Sequence, residues 1–161
     1  MAHRKKNVIP DLSETLVLPN QAPALELDEL WSFVLKKANQ RWIWIALCRE
    51  TRQVGAYVIG DRSAKSCRKL WQRIPAAFRT GHCFSDFWAA DQQVIPPKQH
   101  WAVGKESGET NHVERWNNTL RQRLSRFVRK TLSFSKSDAM HEICLLLFLH
   151  RYNNELALSY D

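Results

Sequence analysis

Residues 27–35 (LDELWSFVL), 42–48 (WIWIALC) and 54–59 (VGAYVI) decide the fold. The first stretch is apolar on both sides of a strand alternation except at Asp28, Glu29 and Ser32. The second is apolar without a break, as in a strand buried on both faces. The third is rich in β-branched and aromatic residues. Polar connections at 36–41 and 49–53 are short enough for an antiparallel meander.

Helical sequence follows. Ser63 suits an N-cap, Cys67, Leu70, Trp71 and Ile74 recur at helical spacing, and Pro75 would end that helix. Residues 82–85 form a short strand leading to Asp86. A short helix over 88–94 stops before Pro96 and Pro97, 100–103 forms a fifth strand, and 105–109 reads as a loop. Val113, Trp116, Leu120, Leu124 and Phe127 make the apolar stripe of a long helix over 110–130, and a last helix spans about 137–153. The order β-β-β-α-β-α-β-α, with another helix after it, predicts an α/β fold with a mixed sheet of about five strands and flanking helices. This is the topology of ribonuclease H-like folds. Residues 1–24 hold Pro10, Pro19 and Pro23 without a long periodic pattern and read as an extended leader, leaving 25–161 as one domain.

Composition narrows the function. The 161 residues are 44% apolar and 25% charged, ordinary for a globular domain. No apolar run reaches the roughly 20 residues that span a bilayer, and the basic start lacks the apolar core of a signal peptide. A cytosolic chain is expected. Cys48, Cys67, Cys83 and Cys144 form no Cys-x-x-Cys pair, which argues against a zinc finger, and Cys48 and Cys144 read as small core residues. The net charge of +8 favours a polyanion partner, nucleic acid before membrane. Between Asn111 and Lys136 there are seven Lys or Arg residues, and Glu114 is the only acid.

Three carboxylates stand out. Asp28 interrupts an otherwise apolar strand, and an ionised carboxylate there needs a cation or strong hydrogen bonds. Asp86 follows the fourth strand, where such sheets place their sites. Glu114 opens a basic helix. If the first and fourth strands are neighbours, Asp28 and Asp86 meet and the helix carries Glu114 toward them. Phosphodiester cleavage can use two divalent ions roughly 4 Å apart, and oxygen ligands suit Mg²⁺ or Mn²⁺. Plainer readings compete: Glu114 as a helix-dipole partner, Asp86 as an N-cap, Asp28 in a salt bridge. Glu26, Glu29, Asp61 and Asp91 are alternative acids.

Other residues fit the same reading. Arg121, Arg126, Arg129 and Lys130 are candidate phosphate contacts, against the alternative of a solvated helix face. Trp42, Trp44 and Trp116 read as core, whereas Trp88 and Trp101 lie near the second acid and are better placed to touch DNA. His112 reads as helix-start surface, and His141 and His150 carry no assigned role.

Three stretches resemble the insertion-sequence-one family of bacterial transposases, in the part encoded by the second (InsB-type) reading frame. They are residues 26–34 (ELDELWSFV) with 42–47 (WIWIAL) and Thr51-Arg52, then 84–88 (FSDFW) with His100 downstream, and 113–124 (VERWNNTLRQRL) with 129–137 (RKTLSFSKS). The likeness covers about residues 26–153, and its third stretch is highly specific. It implies a DDE-type catalytic domain on a ribonuclease H-like fold, with Asp28, Asp86 and Glu114 as catalytic and metal-binding acids and two Mg²⁺ (or Mn²⁺) ions. It further implies Arg121 at the DNA and His100 near the site as a substrate contact. Asn117 and Asn118, between Glu114 and Arg121, could orient substrate or metal-bound water, with Asn117 a candidate DNA contact and Trp88 a candidate substrate contact from its place near the second acid.

The family's second and third acids stand closer in sequence than Asp86 and Glu114. This implies an insertion around residues 96–109 and leaves Asp91 as a rival for the second acid. The implied activity is cleavage at transposon ends and strand transfer into target DNA. The implied partners are DNA, an upstream zinc-finger and helix-turn-helix product joined by frameshifting, and further copies of the chain on DNA, with no membrane and a cytoplasmic, nucleoid-associated location. Alternatives are a stand-alone ribonuclease H-like nuclease or resolvase, and an inactive DNA-binding fragment that inhibits transposition.

Overall fold

The computed structural model describes residues 9–86 and 89–160. Three long antiparallel strands, β1 (Leu25–Phe33), β2 (Gln40–Cys48) and β3 (Val54–Gly60), form the meander. Two short strands, β4 (Cys83–Ser85) and β5 (His100–Ala102), extend the sheet in parallel. The strand order is β3-β2-β1-β4-β5, so the first and fourth strands are neighbours, as the ribonuclease H-like fold requires.

Strand alternation sorts side chains to two faces. One face carries Leu25, Leu27, Trp44, Ala46, Ala56 and Val58, and α1 (Ala64–Arg73) covers it with Cys67 and Leu70, joined by Ile74 and by Ile95 beyond α2 (Ala89–Val94). The other carries Leu30, Ile43, Ile45 and Leu47 and packs on α3 (Asn111–Arg123) and α4 (Asp138–Ala157) through Val113, Trp116, Leu120, Leu145 and Leu149. Trp44 and Trp116 are core, as expected, and the indole N–H of Trp44 donates to the Asp61 carbonyl at 2.8 Å. Removing one such large side chain costs roughly 3–5 kcal/mol. Cys48 is fully buried, whereas Cys144 is only half-buried on α4.

Ser63 caps α1 as expected and Ser137 caps α4, each accepting from a main-chain amide in the first turn. Gly81 lies against Pro23 so closely that a β-carbon there would strike the Pro23 backbone. That close approach brings β4 in beside β1. Among the described residues no helix is long and apolar enough to cross a membrane.

Two expectations change. The long helix over 110–130 is not continuous. Leu124 is extended (φ −122°, ψ 104°), α3 ends at Arg123, and a separate 3-10 turn, Ser125–Phe127, follows. The break turns the Phe127 ring into the core, where it stacks on His141 at 4.6 Å. Burial of that ring outweighs a few more helical hydrogen bonds. Within the leader, Leu12–Thr15 forms a 3-10 turn rather than an extended chain. Leu12 and Thr15 are buried, and the Thr15 carbonyl and hydroxyl accept from Gln53 and Asn153.

Candidate functional site

The parallel pairing of β1 with β4 sets Leu25 opposite Cys83 and Glu26 opposite Phe84. Asp28 and Asp86 each lie two residues beyond the paired Glu26 and Phe84, Asp28 within β1 and Asp86 directly after β4. Asp28 points to the face packed by α3, on which Glu114 sits one turn from the start. All three carboxylates line one cleft of ≈ 410 Å³. Asp91 does not line it: it is buried on the opposite face, where its Oδ1 accepts from the Cys67 thiol at 3.2 Å.

Burial pushes the Asp28 carboxyl up to about 7, and the charges of Glu29, Asp86 and Glu114 push the same way. Glu29 is likewise raised by burial to about 7, even though Arg62 pairs with it at 2.6 Å. Such crowding of carboxylates calls for positive charge. The donor set is all oxygen, which fits a hard divalent cation. It is not already gathered around one point. The Glu114 Oε1 accepts from the Thr110 hydroxyl at 3.0 Å, and Asp28 Oδ2 accepts from Asn117 Nδ2 at 2.6 Å. Among the described residues no group of three His, Cys, Asp or Glu side chains is arranged to hold an ion.

The helix that carries Glu114 is fastened to the strand that carries Asp28. Thr110 occupies the N-cap of α3 but makes no capping bond with its side chain. Glu26 caps the helix instead: its Oε2 accepts from the Val113 amide at 2.9 Å. Its Oε1 accepts from His112 Nδ1 at 2.6 Å and from Arg49 Nε at 2.9 Å. Glu26 is fully buried, and burial raises its carboxyl above the usual range while Val113 and Arg49 pull it down. In the sequence Glu26 is only one of several alternative acids and His112 reads as helix-start surface. Neither could be paired before the fold brought β1 to the start of α3.

Cations rim the cleft. Arg121, Arg129 and Lys105 line it with Asn117 and Asn118. Burial, then the neighbouring Arg129, holds the Arg121 guanidinium below its usual range, and Asp28 opposes this. Among the described residues Arg121 Nε and Asn117 Oδ1 are buried without a hydrogen-bond partner, leaving a donor and an acceptor for a guest. Arg62 stacks over the Trp42 ring at 4.7 Å, and both border the cleft beside Glu29.

The remaining expected residues fall elsewhere. The break after α3 leaves Arg126 and Lys130 off the cleft lining, while Arg129 returns to it. His100 pairs with Cys83 in register and is not among the residues lining the cleft, and its Nε2 shares a hydrogen bond with Ser85 Oγ at 2.7 Å. Trp88 lies outside the described residues.

The sequence model of the IS1 transposase family matches residues 23–154. Among curated proteins, the insertion element iso-IS1n protein InsB of Shigella dysenteriae is 39% identical over 127 residues, covering 79% of this chain and 94% of that protein. The insertion element IS1 protein InsB of Shigella flexneri is 37% identical over 117 residues, covering 73% and 86%. The insertion element IS1 4 protein InsB of Escherichia coli K12 is 35% identical over 117 residues, covering 73% and 68%. The match takes in both strands and the helix that carry the three acids, and the chain therefore belongs to the IS1 transposase family.

Proposed function

We propose that this chain is the catalytic domain of a DDE-type DNA transposase, with Asp28, Asp86 and Glu114 as its acids. The observation that carries the reading is the shared cleft: one acid on β1, one directly after the neighbouring parallel strand β4, and the third on a helix clamped to β1. Two Mg²⁺ or Mn²⁺ ions held by these carboxylates would supply activation of the attacking oxygen and stabilisation of the leaving oxygen.

The chain's own residues do the rest. Arg121, Arg129 and Lys105 draw a phosphodiester into the cleft and neutralise its charge. Asn117 fixes the Asp28 carboxylate through its Nδ2 and keeps Oδ1 open toward the substrate. Water attacks the phosphorus at the transposon end, the P–O3′ bond breaks, and the proton given up by the water is returned through solvent to the departing 3′-oxygen. The freed 3′-hydroxyl then attacks a target phosphate, displacing a target 3′-oxygen. Bonds broken and formed balance, so no nucleotide cofactor is needed.

The partners that follow are transposon-end and target DNA, a fused upstream zinc-finger and helix-turn-helix region that reads the ends, and further copies of the chain on the paired ends. The test is Mg²⁺-dependent cleavage and strand transfer on end-containing DNA with the protein fused to its upstream partner. A joined product supports the transposase, and hydrolysis alone supports a nuclease or resolvase. Full activity in Asp28→Ala would sink the assignment.

A further inference from the structure

On the face of the sheet that holds Asp28, α3 and α4 pack on the meander strands through the second apolar cluster, to which neither β4 nor β5 contributes. On this face Glu26, Phe84 and Trp101 form one cross-strand row, paired in register from β1 to β4 to β5. The Trp101 indole is 53% exposed and belongs to neither apolar cluster. Single exposed apolar residues are common, and exposure alone says nothing. This ring, however, is braced. Its edge meets the His82 ring at 5.6 Å, and it tilts against the Phe84 ring at 6.1 Å. The Arg49 guanidinium lies over Phe84 at 4.2 Å, and Glu26 and Glu109 each hold Arg49 at 2.9 Å. Arg49 is therefore already neutralised, and its role is to back the aromatic pair.

The row adjoins the cleft. Asp86, which lines the cleft, lies two residues beyond Phe84, directly after β4. Lys105, which lines the cleft, lies four residues beyond Trp101. A chain whose phosphate sits between the acids and Arg121 would carry a neighbouring nucleotide over Trp101. The cationic rim next door favours a nucleic acid over an apolar protein partner. An indole face can be used fully only by a base whose own face is free, which duplex stacking forbids.

We propose that Trp101, backed by Phe84, is a stacking platform for an unpaired nucleobase beside the phosphate bound in the cleft. This rests on the reading of the cleft as a phosphodiester site. The test uses the full chain in EDTA, so that no turnover occurs, and two DNAs: a blunt duplex, and the same duplex with a short single-stranded overhang carrying 2-aminopurine. The expected result is quenching of 2-aminopurine on binding and tighter binding of the overhang DNA. Trp101→Ala should abolish the quenching and weaken overhang binding roughly tenfold. Duplex affinity and melting temperature should stay unchanged, and Trp101→Phe should keep part of the quenching.

Equal overhang binding and equal quenching in Trp101→Ala would overturn the platform while leaving duplex binding, and the cleft reading, intact. Loss of a dimer on Trp101→Ala, seen by sedimentation, would overturn it in favour of a contact between copies. Failure of the natural chain to bind either DNA would overturn the cleft reading and the platform with it.

Discussion

The Glu26 carboxylate accepts from the Val113 amide at 2.9 Å across 87 residues of sequence. Glu26 and Asp28 share a face of β1, and Val113 precedes Glu114 on α3. One carboxylate thus sets the distance between the strand of the first acid and the helix of the third. Glu26→Gln keeps the shape but removes the charge that Arg49 and His112 answer, at a cost of about 1–3 kcal/mol. Glu26→Ala leaves the Val113 amide and Arg49 without this partner and should cost about 3–5 kcal/mol in chemical denaturation. Strand-transfer rate should fall roughly 100-fold in Glu26→Gln even where the fold persists, because catalysis is sensitive to misplacement of about 1 Å. Unchanged activity in a stably folded Glu26→Gln would show that the cap does not position Glu114.

The raised Asp28 carboxyl makes a prediction about pH without divalent ions. Its folded value of about 7 lies above the ordinary 3.8, so the folded state holds the proton more tightly than the unfolded one. Stability from this group is full below about pH 4 and is lost as pH rises toward 7. Glu29, also raised to about 7, acts in the same direction. His141 opposes both. It is buried between Ser32 and Ser135 and pulled down to about 4, so its contribution is lost as pH falls from 6.5 toward 4. Comparison of variants isolates the Asp28 part. Asp28→Asn, with its amide oxygen still able to accept from Asn117, should raise the melting temperature in EDTA at pH 8 by several degrees and leave it unchanged at pH 4. Mg²⁺ or Mn²⁺ should stabilise the natural chain more than Asp28→Asn. A melting temperature equal in the two chains at pH 8 would count against a buried, crowded Asp28.

Among the basic residues, position relative to the cleft separates contacts from background charge. Arg121 lines the cleft with its Nε unpartnered among the described residues, whereas Lys130 is exposed outside it. Arg121→Ala should weaken DNA binding about tenfold and flatten the salt dependence of log K by about one phosphate contact. Lys130→Ala should change affinity less than about twofold at 0.15 M salt, where its field is screened. Equal losses in the two variants would mean that DNA reads the overall charge rather than this cleft.

The architecture was largely legible because its signals are local. The unbroken apolar run of β2, the Ser63 cap and the Pro75 stop lie within a few residues of what they determine. The three acids were legible as types, and the neighbouring of β1 and β4 was a stated condition that the strand order meets. The rest depended on contacts far apart in sequence. The stripe from Val113 to Phe127 satisfies helical spacing throughout, yet the 3-10 turn wins because Phe127 finds His141, a partner on another helix. Glu26 looked like a spare acid because its function is to hold an amide 87 residues away. Asp91 and Asp86 lie close in sequence, and only the pairing of β4 shows that one is buried against Cys67 while the other lines the cleft.

Asn117 offers the sharpest test of the cleft's polarity. Its Nδ2 donates to Asp28 Oδ2 at 2.6 Å, while Oδ1 is buried without a partner among the described residues. Asn117→Ala frees Asp28 to rotate and removes the Oδ1 acceptor, and should lower kcat/KM about tenfold, with the larger part of the loss in kcat. Asn117→Asp replaces the donor with a further carboxylate in contact with Asp28. Repulsion should then raise the Asp28 carboxyl further, so the variant needs a higher pH for activity than the natural chain. Its metal-free stability should fall above pH 7, and Mn²⁺ should restore part of it. A pH–rate profile that does not move in Asn117→Asp would show that Asp28 does not titrate in the active cleft.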